Sequence, residues 1–226
     1  VSDKPKNANS SGGFVVSKGA DPNKIPTVSV FFDPMCPSCG MVDRALGPTL
    51  AKLYAVGQIN IELHPIAFLD RSSSDQYSTR AASSFAYVGE PDPDHLLAYM
   101  SGLFDEKFQP SETDYRPVSD ARIARQAIAA GVDSAVAHQS VKGQYKDWIA
   151  KVTAYTIVRK ELQRSSQGTF ATPTILINGQ YWSMKNVSIN DLPHDFVAAI
   201  GLDDAAVGSK TAMPSIGADG KPLQQD

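Results

Sequence analysis

The sequence is short of cysteine, of positive charge and of long apolar runs, and each shortage removes a class of protein. Two cysteines in 226 residues exclude a disulfide-rich scaffold, which needs several bridges. The longest apolar stretches, around residues 27–32 and 174–177, fall far short of the roughly 18 residues a membrane-spanning helix requires. Lys plus Arg number 21 against 24 for Asp plus Glu, a net charge of −3. A general nucleic-acid binder carries a basic excess, so no nucleic-acid partner is expected. The four histidines, His64, His95, His138 and His194, stand singly. A zinc site built on the cysteine pair would lack its second pair of ligands, and no metal is expected. There is no internal repeat. What is present is a globular balance, 42% hydrophobic and 20% charged. That excludes disorder throughout and suffices for a buried core in a chain of this length.

Residues 1–13, VSDKPKNANSSGG, are small, polar and Gly/Ser-rich, and read as a linker: a frayed terminus, or a spacer to an anchor. Because the sequence opens on Val1 rather than Met, something is expected to precede it. Residues 14–71 read as strand, strand, helix, strand. Phe14–Val16 and residues 25–32 are β-branched and aromatic. A helical repeat runs from the cysteines to about Val56, with Pro48 expected to kink it and Gly57 to end it. Residues 59–68 alternate, with Asn60, Glu62 and His64 on a wetter face. Residues 72–167 read as helical almost throughout. Asp92-Pro93 opens one helix. Ser119 opens another, which Gly131 closes, and residues 140–163 are expected to form the last and longest. Residues 168–202 return to strand at Thr174–Ile177, with Asn178-Gly179 as a hairpin turn before residues 180–183, and a closing helix over 190–200. Residues 203–226 lack periodicity and read as an irregular tail. The order predicts an α/β core with a helical insertion whose two ends both meet the sheet.

The two cysteines form Cys36-Pro37-Ser38-Cys39, between a buried strand and a helix. A sulfur there faces the free N–H groups of the first turn and the positive end of the helix dipole, so the Cys36 thiol should ionise below its usual ~8.5. Pro37 suits the first helical position, and Ser38 offers a further donor to the sulfur. Cys39, one turn in, should be more buried. Their spacing is within disulfide reach. An exposed attacking sulfur beside a shielded resolving one is what thiol–disulfide exchange needs. Two blander readings compete. A structural disulfide over so short a loop stabilises little, and half a zinc site lacks partners. Thr172-Pro173-Thr174 lies before the hairpin strand. A cis bond there would hold a tight bend, while a trans proline would only punctuate a loop.

FFDPMCPSCG and GTFATPTILINGQYW together resemble the two active-site segments of the thioredoxin superfamily. The helical block between them makes residues 14–200 similar to the DsbA-like thiol–disulfide oxidoreductases. The resemblance implies a thioredoxin-like fold with an inserted helical domain, and an extracytoplasmic protein that introduces or processes disulfides. It implies that Cys36 is the nucleophile, Cys39 the resolving cysteine, Pro173 a cis-proline and Thr172 its peptide-contacting neighbour. No cofactor is expected beyond the redox-active Cys36–Cys39 disulfide. The expected partners are cysteine-containing unfolded or secreted proteins and a membrane or soluble redox partner for recycling. Val30 stands where some members carry a buried acid, leaving Asp33 as the nearest. Pro37-Ser38 differs from the Pro-His of strongly oxidising members and the Gly-Pro of reducing ones. An oxidising foldase is the first reading. The alternatives are a reductase or isomerase, and a redox-inactive module that binds unfolded chains in a groove. Met35, Met41, Tyr181 and Trp182 are the candidates to line such a groove, with core packing the competing reading for each and the favoured one for Met41 and Trp182.

Overall fold

The computed structural model describes residues 4–216. Its centre is β2 (Thr27–Phe32), where every residue after Thr27 is buried, as a β-branched and aromatic run demands when both faces are covered. β2 pairs in parallel with β3 (Asn60–Pro65) and antiparallel with β4 (Thr174–Ile177). Val28 faces Ile61 and Ile177 across the ladder, and Val30 faces Leu63 and Ile175. β1 (Phe14–Val16) and β5 (Gln180–Tyr181) complete a mixed sheet in the order β1-β3-β2-β4-β5. Asn178 (φ 48°) and Gly179 (φ 77°) both take the left-handed conformation that a two-residue hairpin turn requires.

Around the sheet lie α1 (Pro37–Ala55), α2 (Tyr77–Val88), α3 (Leu96–Leu103), α4 (Asp120–Ala129), α5 (Ser134–Ser140), α6 (Lys146–Ile157) and α7 (Leu192–Ala199). With five strands, this is the expected α/β class. α1 is the longest helix, 19 residues continuous through Pro48. The long helix expected over 140–163 is instead the shorter α6, which begins only at Lys146, after a break that separates it from α5. Gly143 sits there at φ 79°, a conformation no helix contains, and α6 ends at Ile157. The strands expected over 59–68 and 180–183 are shorter, stopping at Pro65 and Tyr181. Ser119 does cap α4, accepting from the Arg122 N–H at 3.2 Å.

α2 explains how the helical block and the sheet become one body. Its small residues, Ala81, Ala82, Ser83, Ser84 and Ala86, are buried on all sides, which lets neighbours approach closely. Their hydroxyls are satisfied, as burial requires. Ser84 Oγ lies 2.7 Å from both Tyr99 Oη and Ser140 Oγ, and Ser83 Oγ accepts from the Tyr145 N–H at 3.1 Å. Phe85 packs edge-on against Phe32 of β2 and Phe14 of β1, at 5.1 and 6.2 Å between centroids. The inserted helices thus share a continuous core with the sheet.

The N-terminus departs from expectation. Residues 4–13, read as a linker, are docked. Ala8 is buried and bridges to Phe14. Asn9 accepts from the Ser11 and Gly13 N–H groups and donates to Glu62 Oε1 at 2.8 Å. A Cβ on Gly13 would come within 2.6 Å of Glu62 and of the His64 ring, so glycine serves close approach here rather than flexibility. This docking covers the face expected to be wetter: Asn60 and His64 are buried, and His64 stacks on Phe31 at 4.0 Å. At the other end, irregular residues are held by Gln58. Its side chain donates to the Ala206 and Ala212 carbonyls and accepts from the Gly208 N–H. Residues 1–3 and 217–226 of the expected linker and tail lie outside the described residues. Among the described residues, no helix is long and apolar enough to cross a membrane.

Candidate active site

β2 delivers the chain to the site and α1 carries it away. Between them Asp33-Pro34-Met35 makes a turn closed by the Cys36 N–H on the Asp33 carbonyl at 2.9 Å. Cys36 is the N-cap of α1, with extended backbone, and Pro37 is the first helical residue. The Cys36 sulfur accepts from the Cys39 N–H at 3.3 Å and donates to the Thr172 carbonyl at 3.4 Å. Both cysteines are free thiols. Cys36 is 5% exposed and Cys39 3%. The expected difference in exposure is therefore absent, because Thr172 closes over Cys36.

The difference lies in the electrostatics. The Cys36 thiol is held below its ordinary value, first by the hydrogen bond from the Cys39 thiol and then, against the effect of burial, by Thr172 and the Cys39 N–H. Cys39 is pushed well above its ordinary value by burial, and its bond to Cys36 and the Cys36 charge push the same way. One proton leaves easily and the other does not. Pro37 and Ser38 are exposed, and the donor to the sulfur is the backbone of Cys39 rather than the Ser38 hydroxyl. The Thr172–Pro173 bond is cis. Pro173, Cys39, Val30 and Ile175 line an apolar cavity of about 20 Å³.

Other residues join the site without an advance signal in the sequence. Gln109, from the segment after α3, donates through Nε2 to the Pro34 and Cys36 carbonyls at 3.2 and 2.9 Å. It tethers the helical block to the active-site turn. A Cβ on Gly40 would overlap Gln109 Oε1 and lie 2.8 Å from Arg44 Nη1. Gly40→Ala is therefore expected to displace the Gln109 side chain and to destabilise the protein by about 1 kcal/mol net, because the two lost hydrogen bonds to the Pro34 and Cys36 carbonyls are partly offset by alanine within the helix. A fall in the denaturant midpoint checks this, and Gln109→Ala in the same background should add little further.

Asp33, whose reach was open from the sequence, is fully buried behind the turn. Asp43 of α1 lines both the small cavity beside Cys39 and a hollow of about 1020 Å³ between α1 and α3. Burial pushes its carboxyl up to about 6, although Ser101 Oγ donates to it at 3.0 Å. The groove expected from Met35, Met41, Tyr181 and Trp182 divides. Met41 and Tyr181 are exposed, at 52% and 38%. Met35 and Trp182 belong to the core, Trp182 edge-on against Phe196 at 5.3 Å.

The family model for thioredoxin matches residues 21–192. Among solved structures, DsbA from Mycobacterium tuberculosis in its reduced form is 25% identical with a TM-score of 0.66, covering 92% of this chain and 100% of that one. The disulfide bond oxidoreductase DsbG from the same organism is also 25% identical at 0.66, over 93% and 97%. The thiol–disulfide oxidoreductase MdbA from Corynebacterium diphtheriae shares the fold, with a TM-score of 0.64 at 20% identity over 83% and 91%. A curated relative, the serine/threonine-protein kinase PknE of M. tuberculosis, is 35% identical over 109 residues, 47% of this chain and 19% of the kinase. The chain thus spans about a fifth of the length of the curated relatives it matches. A match across the whole cysteine-to-proline span, on a mixed sheet whose central strand ends at a CxxC helix, places the molecule: the chain belongs to the thioredoxin family, as a DsbA-like thiol–disulfide oxidoreductase.

Proposed function

We propose that the chain is an oxidising foldase that passes the Cys36–Cys39 disulfide to cysteine-containing unfolded or secreted proteins outside the cytoplasm. The observation that carries this is the opposed acidity of the two thiols, Cys36 held low and Cys39 held high. Stabilising the Cys36 thiolate stabilises the reduced protein, and so makes its disulfide the stronger oxidant.

A substrate thiolate attacks Cys36 Sγ in the oxidised protein. The Cys36–Cys39 bond breaks, and Cys39 leaves with the electron pair and takes up a proton, as its buried site favours. A mixed disulfide joins Cys36 to the substrate. A second substrate thiolate attacks the substrate sulfur of that bond and releases Cys36 as the thiolate the helix N-terminus prefers. The substrate has lost two electrons, and the pair has gained them. A membrane or soluble redox partner must accept these electrons to restore the disulfide. The cysteine pair carries the exchange itself, with no further cofactor. Thr172, beside the sulfur and next to Pro173, is the backbone against which an extended substrate segment lies. Pro37 and Ser38, exposed at the helix start, tune the sulfur from the solvent side. The extracytoplasmic assignment draws support from cysteine usage: both cysteines of the chain are in the motif, so oxidising surroundings threaten no other thiol.

Oxidative refolding of a reduced test protein, beside insulin reduction, tests the reading. Faster refolding by the oxidised protein is expected, with insulin reduction the slower activity. Insulin reduction alone would make the chain a reductase. Neither activity would make it a binding module.

A further inference from the structure

Asp33 is buried directly behind the redox centre, and its partners are unusually complete. Oδ1 accepts from the Met35 N–H at 2.9 Å and from Ser78 Oγ at 2.6 Å. Oδ2 accepts from the Phe68 and Leu69 N–H groups at 2.9 and 3.1 Å. One carboxyl thus ties together the active-site turn, the segment after β3 and the inserted helix α2. Backbone N–H groups cannot reverse roles and accept, so the donor set is that of an ionised carboxylate. No Lys, Arg or His pairs with it among the described residues. The titratable groups facing it are Cys36 and Cys39 at the start of α1 and Tyr77 of α2. The β3 side presents only the backbone of Phe68 and Leu69.

We propose that Asp33 is a positioning residue that also sets the strength of the oxidant: its buried negative charge, with no cation to neutralise it, opposes the Cys36 thiolate and holds the disulfide to a milder potential. The inference rests on the exchange chemistry proposed for Cys36. The Cys36 thiolate exists only in the reduced protein. A negative charge nearby therefore destabilises the reduced form and not the oxidised one, and the sign is toward weaker oxidation. Two opposing fields thus act on one sulfur: the helix N-terminus in front favours the thiolate, and the carboxylate behind disfavours it. Burial pushes the Asp33 carboxyl up to about 6 against its four donors, so the charge is present at neutral pH.

The test is the equilibrium of the Cys36–Cys39 pair with glutathione at neutral pH, in the wild type, Asp33→Asn and Ser78→Ala. Asp33→Asn removes the charge and is expected to shift the equilibrium constant about tenfold toward the reduced protein, about 30 mV more oxidising. Loosening the turn works in the opposite direction, since it moves Cys36 off the Cys39 N–H and weakens the thiolate. Ser78→Ala loosens the anchor and keeps the charge, so no oxidising shift is expected from it. An unchanged or more reducing Asp33→Asn, or an equal oxidising shift in Ser78→Ala, overturns the proposal.

A measurement on the wild type stands whether or not the variants fold. By reciprocity, at a pH where Cys36 is the thiolate, more of Asp33 must be protonated in the reduced protein than in the oxidised one, and its side-chain carboxyl carbon resonance reports this by NMR. Equal protonation in the two states overturns the proposal. If the wild-type pair does not exchange with glutathione at all, the exchange reading fails. If exchange is intact and the shifts are missing, only the role of Asp33 fails.

Discussion

Cys39→Ala is expected to accumulate mixed disulfides with its substrates, and Cys36→Ala to fall to the uncatalysed background. The two side chains are almost equally hidden, at 5% and 3% exposure, so access alone would make them equivalent. Acidity separates them. Cys36 faces the N–H of Cys39 and the first turn of a 19-residue helix. Cys39 lies inside that turn, against an apolar cavity walled by Val30 and Ile175. Below the pH at which either ionises fully, each unit of difference in pKa gives about tenfold in thiolate fraction and loses about threefold in nucleophilicity, leaving about threefold in rate. With one thiol lowered and the other raised well above its ordinary value, alkylation of the reduced protein should modify Cys36 more than about tenfold faster. In Cys39→Ala, substrate joined to Cys36 has no neighbouring thiol to displace it. Non-reducing gels after incubation with a reduced, unfolded protein should show the trapped species. Equal alkylation of both thiols, or trapping by Cys36→Ala, would sink the assignment.

The site was legible where chemistry and local geometry coincide, and illegible where it depends on tertiary approach. Cys36 and Cys39 could be placed because a β-branched run is followed, after only three residues, by a CxxC that leads straight into a helical repeat. Asn178-Gly179 could be placed because two left-handed residues in succession leave few choices of residue type. Gln109 could not, because nothing in its own irregular segment shows that it reaches the Pro34 and Cys36 carbonyls. Asp33 was visible as the nearest acid, but its burial is created by Phe68, Leu69 and Ser78, which are 35 to 45 positions away. Composition misled at residues 4–13. Ser and Gly read as flexible until Asn9 folds a turn and Gly13 presses against Glu62 and His64. Periodicity misled between α5 and α6, where apolar spacing carries on across Gly143 although the backbone does not. Residue type could not sort the groove from the core: core packing was open for all four candidate residues, and it holds for Met35 and Trp182 and not for Met41 and Tyr181.

The stability of the reduced protein relative to the oxidised one is expected to pass through a maximum near pH 8–9, close to the ordinary thiol value of ~8.5. Only the thiols differ between the two forms, so the difference in unfolding free energy isolates them from most other titrating groups. Cys36 is lowered on folding. Its thiolate contributes stability that is fully present above the unfolded value of ~8.5 and is lost as pH falls through the lower, folded value. Cys39 is raised well above its ordinary value, which reverses the sign. The folded protein keeps that proton while the unfolded chain releases it, so stability is lost as pH rises beyond ~8.5. Between the folded value of Cys36 and ~8.5 the reduced form should therefore gain, with a slope of at most about 1.4 kcal/mol per pH unit. Above that it should lose by the same limiting slope. Asp33 contributes a smaller effect on the acid side. Its carboxyl stands at about 6 because burial disfavours the charge, so in both forms stability is lost between the unfolded value of ~3.9 and about 6. Urea unfolding of both forms at a series of pH values measures the difference directly. Cys39→Ala cannot form the disulfide, so its thiol-free reference is the Cys36→Ala, Cys39→Ala double variant; measured against that, the alkaline fall should vanish and, without the hydrogen bond from the Cys39 thiol, the acid-side rise should weaken. A difference that is flat across the range would mean that neither thiol is perturbed by folding, and the opposed acidity on which the exchange rests would be absent.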